Sequence, residues 1–461
     1  MHVRDAARVR RSTAVWLTVA LVMVGLSGCG SRLSSEEIRA QGVVSGGSRT
    51  GVGERDLSAA TGEDPAATAA GEDPATAAGR TKTTTKAGTG NKAVASTGGA
   101  KAPIVIGYIG WLSGTGGETM SPTRDVWVAW SRAVNARGGI NGHPVKLLVG
   151  DMGGVESRGV AVARDFVETK GAVVLTLGGV PGPGIPDYAK SKGIPVIGSV
   201  PTTGQWHNNP MMFPPWGSTE ANSWGAARMI KRSGKTKVAQ VYCAESPDCA
   251  DGEARMKRWA AEEGIQIVAS MRYSVVAADY TAECLQMQRA GAEVVYPTGD
   301  TGSMIRMAKA CSRQNFRPIW VSPTMADNVA SIPEFNGAIA VTPAFPWFLR
   351  SGNPAIDEYA ATIGKYAPSR LTNGSLFMAE AWVSTKLLEK AAGGVSDKPT
   401  PQDILNALWA MKGETLGGLT SGPLALTFTR DQPTPEKFCV FDTKLVGGKW
   451  TAPSGLNPVC R

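Results

Sequence analysis

The chain has 461 residues, of which 42% are hydrophobic and 19% are charged, and its formal net charge is +9. Four of the cations, Arg4, Arg8, Arg10 and Arg11, lie at the N-terminus. The remaining excess is small for a chain of this length, so the charge does not indicate a nucleic-acid-binding protein. The length predicts a globular part with two lobes rather than one.

Residues 1–28 have the pattern of a signal peptide. A basic segment precedes an uncharged, largely apolar run over 13–28, which is typical of secretion. The run ends in Leu26-Ser27-Gly28-Cys29, which resembles a lipobox. We therefore expect cleavage before Cys29, a lipid on its thiol, and a mature protein anchored at the extracytoplasmic face of the cell membrane. A transmembrane anchor is the alternative, but it needs about 20 apolar residues.

Residues 29–102 are rich in Gly, Ala, Thr and Ser and have almost no large apolar side chains. Within them Gly62-Glu63-Asp64-Pro65-Ala66 recurs as Gly71-Glu72-Asp73-Pro74-Ala75. Such a segment buries too little apolar surface to offset the entropy lost on ordering. We predict a disordered, low-complexity tether between the lipid and the globular part.

From residue 103 onward, apolar strand-like runs alternate with helical patterns. The first series begins with Ile104-Val105-Ile106-Gly107-Tyr108 and closes at Val196-Ile197, and a second runs from Val238 to Val321. Continuous apolar strands separated by helices predict parallel sheets covered on both faces. The sequence thus indicates an α/β fold with two doubly wound parallel-sheet lobes, divided near Phe213-Pro214-Pro215.

A helix-turn-strand motif adds a family resemblance. A helix with Trp127, Trp130 and Val134 on one face ends at Gly138-Gly139, and Asn141-Gly142 then turns into a strand over 145–149 that is followed by Asp151. This unit resembles the N-terminal unit of the branched-chain amino acid (Leu/Ile/Val) binding proteins, the type I periplasmic binding proteins of ABC importers.

The resemblance implies a periplasmic-binding-protein-like I fold whose chain crosses three times between the lobes. The crossings are expected near Phe213–Trp216, Thr342–Phe345 and Ala425–Phe428. The N-terminal lobe would then comprise 103–213 and 346–425, and the C-terminal lobe 214–345 and 426–461. It further implies a monomer that captures a small polar solute by hinged closure and delivers it to an ABC transporter permease, with no cofactor and no metal.

Six cysteines remain after Cys29, and an even number in an exported chain favours disulfides. Six cysteines allow fifteen pairings. Proximity along the chain selects Cys243–Cys249, Cys284–Cys311 and Cys439–Cys460. A metal site is the weaker alternative, because the chain has no Cys-x-x-Cys pair and its histidines are isolated.

A ligand is expected where the strands of both lobes end, because open α/β sheets bind ligands beyond the carboxyl ends of their strands. Loops with glycines, hydroxyls and acids follow several strands and supply backbone N–H groups and polar side chains. The candidate ligand-binding residues are Trp111, Ser113, Gly179, Val180, Thr202, Thr203, Glu245, Asp300 and Thr324.

By resemblance, Thr202 matches the family threonine that holds the amino-acid carboxylate. Gly179 stands where the family usually has a carboxylate-binding serine, and Thr324 aligns with the acid that binds the ammonium. Asp300 or Glu245 is available to supply that acid from a different loop. We therefore expect a carboxylate- or amide-bearing solute, and weak or no binding of leucine.

The two other classes of function to consider are an enzyme and a ligand-sensing receptor. An enzyme is disfavoured, because there is no Gly-x-Ser-x-Gly motif and Gly114-x-Gly116 lacks the spacing of a dinucleotide loop. The closer alternative is a ligand-sensing receptor module of the same fold that is not coupled to transport.

Overall fold

The computed structural model describes residues 101–461, except 115, 180–181, 199–203, 323, 351 and 421. The predicted signal peptide, Cys29 and the tether lie outside these residues. None of the helices that the structure describes has the length and hydropathy needed to cross a bilayer.

The first lobe is built on a five-stranded parallel sheet with the order β2-β1-β3-β4-β5. Apolar side chains bury both of its faces, as the continuous apolar strands predict. Its strands and the helices between them are β1 Ile104–Gly110, α1 Gly117–Met120, α2 Pro122–Ala136, β2 Val145–Asp151, α3 Glu156–Arg164, β3 Val174–Gly178, α4 Gly184–Lys192, β4 Val196–Ile197 and β5 Met212–Phe213.

The motif between α2 and β2 forms for a local reason. Asn141 and Gly142 both have positive φ (49° and 82°), so they form a tight turn closed by backbone hydrogen bonds between Ile140 and His143. At Gly139, also at positive φ, a Cβ atom would lie 2.1 Å from the carbonyl oxygen of His143. Only glycine fits there, and the tight turn places β2 beside β1 in parallel register.

The second lobe carries a four-stranded parallel sheet with the order β7-β6-β8-β9. A bridge between Val321 and Ile339 joins it to β10, which pairs antiparallel with β13. Its elements are α5 Thr219–Arg232, β6 Lys237–Cys243, α6 Pro247–Glu262, β7 Gln266–Tyr273, α7 Thr281–Arg289, β8 Val294–Thr298, α8 Thr301–Arg313, β9 Ile319–Trp320, α9 Asp327–Ala330 and β10 Ile339–Thr342.

After β10 the chain returns to the first lobe and then to the second. The helices α10 and α11 pack against α2, and β13 pairs with β10. We propose 103–213 with 346–425, and 214–345 with 426–461, as the two lobes. The remaining elements are α10 Pro354–Tyr366, α11 Leu376–Ala392, α12 Pro401–Ala410, β11 Lys412–Glu414, β12 Leu426–Thr427, β13 Cys439–Val446, β14 Lys449–Thr451 and β15 Val459–Cys460.

Segments at the expected crossings contact one another. The rings of Phe213 and Phe428 meet edge to face with their centroids 5.2 Å apart. The ammonium of Lys437 donates to the carbonyl oxygens of Leu424, at 2.9 Å, and Ala425. Burial lowers the pKa of Lys437 to about 8. These contacts hold the segments around residues 213, 424–428 and 437 together.

The second lobe contains three disulfides: Cys243–Cys249 after β6, Cys284–Cys311 between α7 and α8, and Cys439–Cys460 between β13 and β15. They are the pairs that proximity along the chain selects. The first of them forms part of the cavity wall described below.

Candidate ligand-binding cleft

A cavity of about 430 Å³ lies where the carboxyl ends of strands from the two sheets face one another. This is the edge at which open α/β sheets bind ligands, and the volume lies within the usual range for small-molecule sites. Polar side chains of its lining include Trp111, Asn222, Glu245, Arg255, Asp300, Thr324 and Glu380.

The first lobe contributes the indole ring of Trp111, directly after β1. Its backbone N–H donates to the carbonyl oxygen of Gly178 at 3.0 Å, which ties this loop to the end of β3. The ring packs over Gly154, where a Cβ atom would lie 2.7 Å from it. The indole Nε1 is buried and has no hydrogen-bond partner among the described residues. It is therefore a free donor at the cavity wall.

Asp151, the last residue of β2, holds this loop in place. Its Oδ1 accepts from the backbone N–H groups of Leu112 at 3.0 Å and Gly153 at 2.8 Å, and its Oδ2 accepts from the Ser113 hydroxyl. Partial burial acts to raise the pKa of Asp151, but these hydrogen bonds and the nearby Arg158 outweigh it and lower the pKa. The aspartate of the motif thus positions Trp111.

On the second lobe, Asp300 caps helix α8. Its Oδ1 accepts from the backbone N–H of Ser303 at 3.0 Å. Its Oδ2 is buried, lies in a residue that lines the cavity, and has no hydrogen-bond partner within the described residues. A buried carboxylate oxygen without a donor is costly, so a ligand donor at this oxygen would be stabilising.

Two other polar side chains of this lobe are already paired. Glu245 Oε1 accepts from the Ser274 hydroxyl at 2.6 Å and from the Val275 backbone N–H at 3.1 Å. Although burial acts to raise its pKa, these hydrogen bonds lower it. The hydroxyl of Thr324 lies 3.0 Å from that of Thr301. Both line the cavity, but their hydrogen-bonding capacity is partly used within the lobe.

Helix α11 brings a carboxyl group to the cavity that the sequence analysis missed. Glu380 is 1% exposed, and its Oε2 has no hydrogen-bond partner among the described residues. Burial raises its pKa well above the usual range for a glutamate. Leu376 and Phe377 of the same helix line the cavity beside it. The carboxyl therefore faces the cavity without a compensating charge.

Asn222 of α5 and Arg255 of α6 are two further polar side chains of the lining. Asn222 Oδ1 and Arg255 Nε are buried and make no hydrogen bond with any residue that the structure describes. The cavity thus presents donors at Trp111 and Arg255, and oxygens at Asn222, Asp300 and Glu380, on an otherwise mainly apolar wall. This arrangement suits a small solute that carries both donors and acceptors.

A sequence model described as periplasmic binding protein matches residues 103–435, which is more than half of the chain. The chain belongs to the periplasmic binding protein family. A search of curated proteins finds no sequence relative of this binding protein.

Solved structures show the same fold. A branched-chain amino acid ABC transporter protein from Thermus thermophilus with bound valine is 17% identical, with a TM-score of 0.68, over 79% of this chain and 97% of that chain. A solute-binding protein from Rhodopseudomonas palustris BisB5 in complex with 3,4-dihydroxybenzoic acid is 14% identical, with a TM-score of 0.63, over 76% and 95%. A leucine-binding protein from Thermotoga maritima is 13% identical, with a TM-score of 0.62, over 77% and 99%.

Some of the residues expected at the binding site of this protein line the cavity, and others do not. Trp111, Glu245, Asp300 and Thr324 line the cavity. Ser113 is exposed, does not line the cavity, and gives its hydroxyl hydrogen to Asp151. Gly179 lies behind Trp111, where a Cβ atom would be 3.0 Å from the Trp111 Cβ. The other candidates lie outside the described residues: Val180, Thr202 and Thr203.

One of the missed residues carried a signal in the sequence. Glu380 is the one acid within Leu376–Val383, a helical run whose other residues are all apolar. An acid that interrupts an all-apolar helix is a candidate for a buried functional group. Asn222 and Arg255 lie on helices with many polar residues, and nothing in their spacing distinguishes them from solvent-exposed side chains.

Proposed function

We propose that this chain is the extracytoplasmic solute-binding lipoprotein of an ABC importer and that it captures a small polar solute between its lobes. The observation that carries the proposal is the cavity at the strand ends, where buried polar atoms of both lobes have no hydrogen-bond partner among the described residues. Closure of the second lobe over a solute held by the first would complete these hydrogen bonds. The closed form would then be recognised by a permease.

The solute is proposed to carry a carboxylate and an amino or amide donor. Two of the similar structures contain valine and 3,4-dihydroxybenzoic acid, and both compounds carry a carboxyl group. In this chain we propose that Thr202 binds the carboxylate of the solute, and that Thr203 and the backbone of Gly179 and Val180 assist it. We assign the amino or amide donor of the solute to Asp300, because its Oδ2 has no hydrogen-bond partner among the described residues and Asp300 lines the cavity.

Replacing Asp300 by Asn is expected to weaken binding of an amine-bearing solute by about 1–3 kcal/mol, the cost of losing a charged hydrogen-bond acceptor. Asn caps helices as well as Asp does, so the hydrogen bond to Ser303 is retained and the fold should not change. A thermal-shift screen of amino acids, amides, urea and aromatic acids identifies a solute, and calorimetry then compares the two proteins.

The matched control is Asp251→Asn, which removes the same charge from an exposed position on α6. It should bind like the parent protein. Nanomolar binding of leucine that Asp300→Asn leaves unchanged would show that the ammonium site has been assigned to the wrong residue.

The location of the protein is proposed from its N-terminus. Lipid at Cys29 would hold the binding protein at the membrane, where its permease partner lies. Replacing Cys29 by Ala is expected to leave the precursor unprocessed or to release the protein from the membrane, because the thiol is the group that accepts the lipid. Membrane fractionation and intact mass measure this, and unchanged processing and fractionation would contradict the lipoprotein assignment.

A further inference from the structure

The cavity continues beyond the strand ends into the second lobe, between helices α5 and α6. On α5 the lining residues include Asn222, Ser223 and Ala226, which share one helical face. On α6 they include Gly252 and Arg255, which are one turn apart. We call the space between these helices the inner chamber, and Asn222, Ser223, Arg255 and Tyr296 form its polar wall.

The inner chamber is deep relative to the mouth of the cleft. Strand β8 ends at Thr298, beside Asp300, and Tyr296 lies two residues earlier, which is about 7 Å further into the sheet. Arg255 lies six residues along α6 from the cavity-lining Cys249, which is about 9 Å along the helix. A solute of the size of valine bound at Asp300 would leave this space unfilled.

The chamber has its own hydrogen-bonding groups. Tyr296 is hydrogen-bonded to Ser223, so its hydroxyl is held in place. Arg255 Nε and Asn222 Oδ1 have no partners among the described residues. Gly252 lets α6 lie close to the end of β8, because a Cβ atom there would lie 3.1 Å from the Thr298 side chain. An arginine with a free buried N–H is suited to a carboxylate, which its planar group binds through paired hydrogen bonds.

Most of the cavity wall is apolar. The Cys243–Cys249 disulfide, Val275 and Val321 line the cavity on the second lobe, and Phe377 lines it on the first. A carboxylate at Asp300 and a cation at Arg255 thus lie among apolar side chains of one cavity. This distribution of charge matches an extended solute with separated charged ends.

We infer that the inner chamber is a subsite for the far end of the solute, and that the preferred solute is an amino acid with a long apolar side chain that ends in a carboxylate. Its amino group lies at Asp300, its side chain passes the disulfide, and its terminal carboxylate is bound by Arg255. This inference rests on the proposed function, because it assumes that the cleft binds a solute with an amino group.

Calorimetry on the full-length mature protein tests the subsite with a series of known compounds. The series is L-aspartate, L-glutamate, L-2-aminoadipate and L-2-aminopimelate, with L-norleucine as the apolar match for L-2-aminoadipate. Affinity is expected to rise with length up to the compound that reaches Arg255. L-2-aminoadipate or L-2-aminopimelate should bind at least about tenfold more tightly than L-norleucine, because hydrogen bonds between charged groups are stronger than neutral ones.

The variant Arg255→Gln should reduce this preference to less than about threefold, because the terminal carboxylate loses its charged partner. Lys257→Gln is the matched control, because it removes a charge from an exposed position two residues along the same helix. Lys257→Gln should keep the preference for the longer acidic amino acids over L-norleucine. If Arg255→Gln does not fold, as judged by circular dichroism, Arg255→Lys replaces it, and the loss of the paired hydrogen bonds should still lower the preference.

Two results would overturn the subsite. In the first, amino acids bind with an affinity that depends on Asp300, but neither chain length nor Arg255 affects it; the proposed function then stands without the inner subsite. In the second, none of the series binds. The subsite is then rejected, and the proposed function is decided separately by whether amides, urea or aromatic acids bind in an Asp300-dependent manner.

Discussion

Replacing Trp127 by Ala is expected to lower the free energy of unfolding by about 3–5 kcal/mol, the usual cost of removing a large buried aromatic side chain. Trp127 is fully buried in α2, and its ring meets that of Trp130 edge to face at 5.5 Å. Helix α2 packs against both α10 and α11, which come from a part of the chain more than two hundred residues later. A cavity at Trp127 would therefore loosen the contact between the two stretches of the first lobe.

Urea unfolding followed by circular dichroism measures this effect. The control is Trp127→Phe, which keeps an aromatic ring and leaves a smaller cavity. Its free energy of unfolding should therefore fall clearly less than that of the alanine variant. A loss below about 1 kcal/mol for Trp127→Ala would contradict the assignment of this residue to the core of the first lobe.

Replacing Glu380 by Gln is expected to stabilise the protein without solute above about pH 5, and increasingly so as pH rises. Burial raises the pKa of Glu380 in the folded protein well above its usual value of 4.5. Between those two pKa values the folded state holds a proton that the unfolded state has released. Stability is therefore greatest below the unfolded value and is lost as pH rises towards the folded value, by at most about 1.4 kcal/mol per pH unit.

Glutamine has nearly the same shape as glutamate but no proton to lose, so the difference between the two proteins isolates Glu380 from all other titrating groups. The measurement is the free energy of unfolding of both proteins from pH 4 to pH 9. Glu118→Gln is the control, because that side chain is exposed. Its replacement should not change how the free energy of unfolding depends on pH. Parallel pH profiles for Glu380→Gln and the parent protein would show that Glu380 is not a buried, unpaired carboxyl.

Much of the fold follows from local patterns in the sequence. The apolar run at Ile104 becomes a buried strand of a parallel sheet, and the helix expected at Pro122 begins at that residue. Asn141-Gly142 forms the expected turn, because positive φ is a property of those residue types. The antiparallel pairing of β13 with β10 was not predicted, because it joins residues about one hundred positions apart and leaves no local signal.

Only some of the residues expected at the candidate site line the cavity at the strand ends. The sequence by itself determined that the ligand-facing loops follow parallel strands, because strand and helix periodicity are local properties that fix where each strand ends. It could not determine which polar atoms remain free. Ser113 and Glu245 are paired with Asp151 and Ser274, whereas the buried Oε2 of Glu380 has no hydrogen-bond partner in the part of the chain that the structure describes. Only the tertiary structure decides this, because a hydrogen bond depends on distances between segments that lie far apart in the chain.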